Sequence, residues 1–229
     1  MKIGFTALEL PEGKIKYIDQ KLIALEKKCE PDKVSPFFVE FIKDQLVQTD
    51  ALVFAKKNIL DLLILDMEKC EARLINSDDT GEKEFLKKCL SYLEKETPLC
   101  EAEFSEKEQK YLKTLSPLSA KPVVIIDDIS ETNELIKKVL EKSGIIFFYT
   151  AGKDDVHAWP VNAGSDIVAC AGKIHTDLAR GFIKADIVSF NDFMKCHNMN
   201  DAKSKGFAKL VDRDYIIKDG DIIEIRFNI

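Results

Sequence analysis

Phe147-Phe148-Tyr149-Thr150-Ala151-Gly152-Lys153 opens the part of the chain that decides the fold, the last 85 or so residues. The same part ends in a run from Ile222 to Asn228 in which Ile225 and Phe227 alternate with polar side chains. Such alternation is typical of a half-buried β-strand. Asp219-Gly220, just before this run, predicts a tight turn. We therefore expect a tail rich in β-structure that ends in a paired strand.

Composition and charge limit the classes of function that fit. The chain has 229 residues, fits one to two domains, and carries a formal net charge of -6. An acidic protein is not a global clamp for nucleic acid, so any RNA contact needs a local basic patch. We expect no membrane span, a cytoplasmic location and reduced cysteines. Because the three histidines lie far apart and no Cys-x-x-Cys pair occurs, no metal site is predicted.

Short apolar runs in the N-terminal half predict a small α/β layer. The expected strands cover residues 2–7, 37–42, 51–55 and 123–126. The continuous apolar character of the last strand predicts burial on both of its faces, as in a parallel sheet. One helix is expected from about Asp19, its N-cap, to Lys28, and another over residues 131–142, ending at Gly144.

Two apolar stripes at helical spacing predict a helical hairpin between the third and fourth strands. The stripes comprise Leu62, Leu63, Met67, Cys70 and Leu74, then Phe85, Leu86, Cys89, Leu90 and Leu93. A turn over residues 76–81 separates them. Ser105 with Glu108 forms a capping box that predicts a third short helix. We expect the stripes to pack against each other, since an apolar stripe must be buried somewhere.

Several stretches of the tail resemble the TGS domain of YchF-type Obg-like ATPases. They are Phe147–Lys153, Val156–Trp159, Ala171–Asp177, Arg180–Ala185 and Tyr215–Asn228. Asp19–Leu46, Thr49–Val53, Leu65–Glu71 and Lys121-Pro122 resemble N-terminal parts of the same family. The resemblance implies a β-grasp tail, a mixed sheet packed on a helix around residues 189–196.

The resulting fold class is α/β plus α+β. It comprises a truncated P-loop-like parallel sheet with a helical hairpin insertion, followed by a β-grasp TGS domain. The predicted boundaries are 1–58 and 117–143 for the α/β core, 59–116 for the coiled-coil-like insertion and 144–229 for the TGS-like domain.

The phosphate-binding loop of the family departs from its usual pattern. A Walker A loop needs two glycines, a lysine and a hydroxyl at fixed spacing, so that backbone amides and the lysine can hold phosphates and the hydroxyl can bind Mg²⁺. Without gaps, Leu8–Ile15 keeps only Gly13 and Lys14. With one residue deleted, Leu10–Lys14 matches the family's loop in a shortened form. In both alignments the loop is incomplete, and the alternative interpretation is a structural turn with a surface lysine.

The other nucleotide motifs are also incomplete. Most of the D-x-A-G switch is missing after the second strand, where Asp44 is either a metal ligand or a solvated loop residue. The base-specificity motif N-x-x-E of the family corresponds to residues 128–131, where Glu131 matches and Asp128 replaces the asparagine. A carboxylate only accepts hydrogen bonds, whereas an amide also donates. In the alternative interpretation Ser130 or Asp128 simply caps the next helix. Nucleotide hydrolysis is not expected.

A polar loop in the tail is the candidate binding surface, because loops on rigid scaffolds commonly bind ligands. It comprises Lys173, His175, Thr176, Asp177, Arg180 and Lys184. The alternative interpretation is that His175 and Asp177 only hold the loop in place by hydrogen bonds. Trp159 is expected in the core.

Three functions follow from these features. The first is a non-catalytic YchF-like protein, a regulatory or adaptor module that binds RNA, the ribosome or a protein through the β-grasp domain, with no cofactor. The second is an ATP- or GTP-binding protein of the Obg/YchF class, with Mg²⁺ and with weak or no hydrolysis, acting through Gly13, Lys14, Asp128 and Glu131. The third is a ligand-sensing TGS module without nucleic acid. The sequence leaves the oligomeric state open.

Overall fold

The computed structural model describes residues 1–128 and 131–228, which form two compact units. Unit 1 comprises residues 1–15 and 39–143, and unit 2 comprises residues 16–38 and 144–229. This division differs from the predicted one, because residues 16–38 group with the tail and not with the N-terminal α/β core. Ser130, one candidate cap, lies outside the described residues.

The strands and helices are numbered in chain order. The strands are β1 (Lys2–Phe5), β2 (Gly13–Lys16), β3 (Lys33–Ser35), β4 (Phe38–Lys43), β5 (Ala51–Ala55), β6 (Val123–Ile126), β7 (Ile145–Ala151), β8 (Asp155–Asn162), β9 (Phe182–Ser189), β10 (Lys209–Val211) and β11 (Asp221–Phe227). The helices are α1 (Gln20–Cys29), α2 (Ile59–Asn76), α3 (Thr80–Leu93), α4 (Glu106–Leu115), α5 (Thr132–Lys142), α6 (Ile167–Ile174), α7 (Thr176–Arg180), α8 (Phe190–Phe193) and α9 (Met199–Ser204).

The sheet of unit 1 has the strand order β2-β4-β1-β5-β6. β1 runs parallel to both β4 and β5, and β5 runs parallel to β6. The parallel α/β layer expected from the sequence is therefore present. Val123, Val124 and Ile126 are buried, so side chains on both faces of β6 are covered as expected. The exception is Ile125, which is 41% exposed on this edge strand.

The helical hairpin of unit 1 is confirmed. α2 and α3 bury the two predicted stripes in one cluster together with Leu52 and Phe54 of the sheet. Asp79 caps α3 by accepting hydrogen bonds from the N–H groups of Gly81 and Glu82. The capping box of Ser105 and Glu108 opens α4 as predicted. On α5, the apolar face of Leu135, Ile136, Val139 and Leu140 is buried.

The sheet of unit 2 is mixed, with the order β10-β9-β11-β7-β8-β3. β7 pairs antiparallel with β8 and parallel with β11, while β9 pairs antiparallel with β11 and β10. The short strand β3 extends the sheet by pairing in parallel with β8. This pairing explains why residues 16–38 belong to the same unit as the tail.

Helices of unit 2 pack against successive residues of β7, whose side chains point to opposite faces of the sheet. Phe148 lies in the cluster that contains Ile167, Cys170 and Ala171 of α6. The neighbouring Tyr149 is also buried, and its hydroxyl donates to the carboxylate of Asp19 (2.6 Å), the N-cap of α1. Both faces of β7 are thus covered, which explains its almost uninterrupted apolar sequence.

Two expectations about the tail hold only in part. The helix predicted around residues 189–196 is present as α8, which buries Phe193 and contacts β9 and β11, but it is only one turn long, and α6 also packs on the sheet. Phe227, expected on the buried face of the last strand, is 48% exposed. Its register with β9 shifts between Arg226 and Phe227, which re-aims the end of the strand.

Candidate functional site

Gly13 and Lys14 do not lie in a loop that enters a helix. Gly13 begins the edge strand β2 with a positive φ of 93°, and Lys14 is an exposed residue of the same strand. A phosphate cradle depends on backbone N–H groups at the start of a helix, where the helix dipole favours negative charge. The next helix, α1, begins only at Gln20 and belongs to unit 2. This geometry fits the interpretation of residues 10–14 as a structural turn.

Asp128 and Glu131 follow β6, at the opposite edge of the sheet from β2. Four strand spacings separate the two edges, or about 19 Å at about 4.8 Å a step. Glu131 occupies the N-cap position of α5 but makes no capping hydrogen bond with its side chain. Both residues are exposed. The structure therefore does not bring the four candidate nucleotide-binding residues together.

A different set of polar groups lies where the parallel strands of unit 1 end. The hydroxyl of Thr6, after β1, donates to the carboxylate of Asp44, after β4 (2.6 Å). Lys56, after β5, lies 3.9 Å from the carboxylate of Asp127, after β6. Ligands of open α/β sheets bind at the carboxyl ends of the strands, where the chain changes direction. Of these four residues, the sequence analysis proposed only Asp44 as a ligand, because only the strand order shows which chain ends are neighbours.

The polar loop of unit 2 forms a capped turn of helix. His175 is the N-cap of α7, and its Nδ1 accepts a hydrogen bond from the N–H of Asp177 (3.2 Å). Arg180 binds the carboxylate of Asp177 (2.9 Å). These contacts support the interpretation that His175 and Asp177 hold the loop in place. Thr176, the first residue of α7, is exposed.

Basic side chains near this loop remain available for contacts with a partner. Lys173, in the last turn of α6, is exposed, and it makes no ion pair with any residue in the described ranges. Arg180 keeps about 70% of its side chain exposed despite its bond to Asp177. Lys184 on β9 pairs with Asp212 (3.1 Å) and is only partly exposed. We expect Lys173 and Arg180 to provide most of the local positive charge.

Trp159 and His157 form an aromatic pair on β8. Their rings stack with centroids 3.6 Å apart, and Trp159 also stacks on Phe148. The indole N–H donates to the hydroxyl of Thr150 (3.1 Å). Burial lowers the pKa of His157, although the nearby Asp155 acts in the opposite direction. Trp159 thus packs against the core of unit 2, as expected from the sequence.

Residues 1–128 and 131–228 contain no cluster of three or more His, Cys, Asp or Glu side chains arranged to hold a metal ion. None of the helices in those ranges is both long and apolar enough to cross a membrane.

Comparisons with known proteins agree with the features above. A family model described as YchF-GTPase_C, a protein of unknown function (DUF933), matches residues 145–228. The solved structure of the Schizosaccharomyces pombe YchF GTPase superposes with a TM-score of 0.79 at 18% identity, covering 96% of this chain and 89% of that one. This likeness shows a shared mixed α/β fold.

Curated relatives match at higher identity. The ribosome-binding ATPase YchF of Bacillus subtilis is 27% identical over 74% of this chain and 65% of its own length. The Mycoplasma genitalium protein of the same name is 26% identical over 92% of this chain and 71% of its own. Obg-like ATPase 1 of Danio rerio is 41% identical, over 43% of this chain and 26% of its own length. The chain thus spans less than two thirds of the Bacillus and Danio relatives.

Fold and sequence together define a mixed α/β protein with a YchF-type C-terminal domain. Residues 145–228 match the C-terminal domain model of YchF proteins, and the chain is similar over most of its length to members of the YchF and Obg-like ATPase family.

Proposed function

We propose that this chain is a YchF-class binding module that contacts RNA or the ribosome through unit 2 and does not hydrolyse nucleotide. The observation that carries this proposal is the separation of Gly13 and Lys14 from Asp128 and Glu131 at opposite edges of the sheet. Phosphoryl transfer depends on positioning and charge stabilisation at one place. Gly13 and Lys14 lie on a strand and not at a helix N-terminus, so they lack the cradle that positions phosphates, and about 19 Å of sheet separates them from Asp128 and Glu131, the candidates for base recognition.

The mixed sheet of unit 2, with α6 packed on one face, supports a β-grasp interpretation of the TGS type. Ribosome binding is named for the Bacillus subtilis and Mycoplasma genitalium relatives. The candidate contact surface on unit 2 comprises Lys173, His175, Thr176, Asp177, Arg180 and Lys184. Because unit 2 carries little net charge, the local positive charge of Lys173 and Arg180 would dominate any contact with phosphates.

Co-sedimentation with purified ribosomes tests this proposal. We expect the Lys173→Glu/Arg180→Glu double variant to lose at least about tenfold in affinity at low salt, because reversed charges repel phosphates. Lys87→Glu, an exposed position on α3 of unit 1, is the matched control and should bind like the wild type. Equal binding by the wild type and both variants would rule out this surface as the ribosome-binding surface.

A second candidate function, nucleotide binding, is favoured by the ATPase names of the relatives and by the polar groups at the carboxyl ends of β1, β4, β5 and β6. Calorimetric titration with ATP and GTP, with and without Mg²⁺, distinguishes this function from the one proposed first. We expect no micromolar binding. Binding abolished by Lys14→Ala would contradict the geometry argued above, while binding abolished by Asp44→Ala and retained in Lys14→Ala would assign the nucleotide to the ends of the strands.

A further inference from the structure

The outer edge of β6 is open in the part of the chain that the structure describes. Within residues 1–128 and 131–228, no strand pairs with the side of β6 that faces away from β5. A shallow groove of about 520 Å³ runs along this edge, lined by Val123, Val124 and Ile125 of the strand and by residues of unit 1 beside it. An edge strand presents unpaired N–H and C=O groups, which makes it a template for pairing with another strand.

Along β6, the backbone N–H and C=O groups of successive residues point alternately toward β5 and away from it. The N–H of Leu52 donates to the carbonyl of Pro122 (2.9 Å), so the backbone carbonyl of residue 122 points toward β5. Residues two apart in a strand point to the same side, and β5 and β6 stay in register through Ala55 and Ile126. Val123 and Ile125 therefore direct their backbone groups away from the sheet.

One of these outward groups already has a partner. The N–H of Val123 binds the thiol of Cys100, whose pKa is raised by burial and is partly lowered again by this bond. The N–H and C=O of Ile125 both point outward, and neither is hydrogen-bonded to another described residue. Ile125 is thus the residue best able to exchange a pair of bonds with another strand, and its side chain is 41% exposed.

The charges beside this edge favour a second copy of the chain as the partner of β6, and not a strongly acidic or strongly basic peptide. Glu101 and Lys142 form an ion pair there, and Lys138 and Glu141 of α5 line the same groove. Two acidic and two basic groups balance each other. Under a two-fold axis the same surface meets itself, so a patch with both signs is self-complementary.

We propose that β6 pairs antiparallel with β6 of a second copy, with Ile125 opposite Ile125 on the two-fold axis. The two Ile125 residues then exchange both N–H···O=C bonds, and their Cβ atoms lie about 5 Å apart. Because β6 has only four residues, the interface is small and the dimer is weak and concentration-dependent. This proposal is independent of the proposed function, since it concerns unit 1.

Sedimentation velocity on the whole chain, from about 10 to about 500 µM, tests the proposal. We expect the wild type to shift from monomer to dimer across this range. Ile125→Lys and Ile125→Glu alone should stay monomeric, because like charges meet across the axis. An equimolar mixture of the two should recover the dimer. Ile125→Thr, which keeps a β-branched side chain and adds no charge, is the matched control and should dimerise like the wild type.

Three results would overturn the proposal. A wild type that stays monomeric throughout excludes pairing with a second copy. Dimerisation of both charge variants excludes β6 as the interface. If the mixture of Ile125→Lys and Ile125→Glu does not dimerise, the Ile125 residues of two copies do not face each other. If a variant misfolds, hydrogen exchange of the wild type tests the pairing instead. The Ile125 amide should be at least about tenfold better protected at the high protein concentration than at the low one, and unchanged protection would overturn the proposal.

Discussion

Asp186 is a buried carboxylate held by two basic side chains of unit 2. Arg226 binds it through two nitrogens, at 2.8 and 2.9 Å, and Lys203 at 3.0 Å. Burial by itself would raise the pKa of this carboxyl, but the hydrogen bonds from Arg226 and Lys203 outweigh it, so the pKa lies below its usual range. Asp186 thus helps to fix β9 against β11, on which Arg226 lies.

This depressed pKa predicts how stability depends on pH. A carboxyl with a lowered pKa in the folded state stabilises the protein above its unfolded pKa of about 3.9 and loses that contribution as pH falls through the folded value. We expect Asp186→Asn to lower the free energy of unfolding by about 1–3 kcal/mol at pH 7, and the difference from wild type to shrink below about pH 4.

Urea unfolding followed by circular dichroism, from about pH 7 to about pH 2, measures this effect. Asp154→Asn, an exposed position between β7 and β8, is the control and should leave stability nearly unchanged. A difference between Asp186→Asn and wild type that stays constant over the whole pH range would show that the ion pairs do not stabilise the fold.

At the scale of elements, α7 and the end of β11 meet at Gly181. A Cβ built on Gly181 would lie 2.3 Å from the carbonyl oxygen of Asn228, far inside the normal contact distance. The N–H of Asn228 also donates to the carbonyl of Gly181 (2.9 Å). The absence of a side chain at Gly181 therefore allows the last strand to close against this turn.

We expect Gly181→Ala to lower the free energy of unfolding by about 1–3 kcal/mol, because the methyl group must displace backbone atoms. Gly152→Ala is the matched control in the same unit. Its new Cβ would lie 3.9 Å from the backbone oxygen of Asp155, an ordinary contact, so we expect a change within about 0.5 kcal/mol. Thermal melts of both variants measure the effect, and equal losses would contradict the assigned clash.

At the scale of the whole molecule, unit 2 is built from two separate segments of the chain. Residues 16–38 contribute α1, which buries Leu22 and Leu25, and β3, which pairs with β8. Tyr17 and Phe37 of the same segment pack on the ring of Phe147. Without this segment one face of β7 would lose its apolar cover.

We expect residues 144–229 expressed separately to unfold with low cooperativity and to bind a hydrophobic dye, because Phe147 and Tyr149 would be exposed. Residues 16–38 joined to 144–229 by a flexible linker should restore a cooperative melt. Calorimetry of the two proteins measures the cooperativity of each melt. A separate tail that melts as sharply as the fusion would show that residues 16–38 contribute little to the stability of unit 2.

Much of the secondary structure follows from the sequence. The N-cap at Asp19, the capping box at Ser105 and the helix end at Gly144 were correctly predicted, because each depends on residues within a few positions. The stripes of α2 and α3 were predicted for the same reason. The resemblance of the tail to the YchF family was also visible in its motifs.

Only the tertiary structure decided how distant segments combine. It assigned residues 16–38 to unit 2, packed α6 as well as α8 on the sheet of that unit, and put Gly13 and Glu131 at opposite edges of the other sheet. Among the described residues, it also left the outer edge of β6 without a partner strand. Strand order is set by pairings between residues far apart in the chain, and local propensity does not encode these pairings.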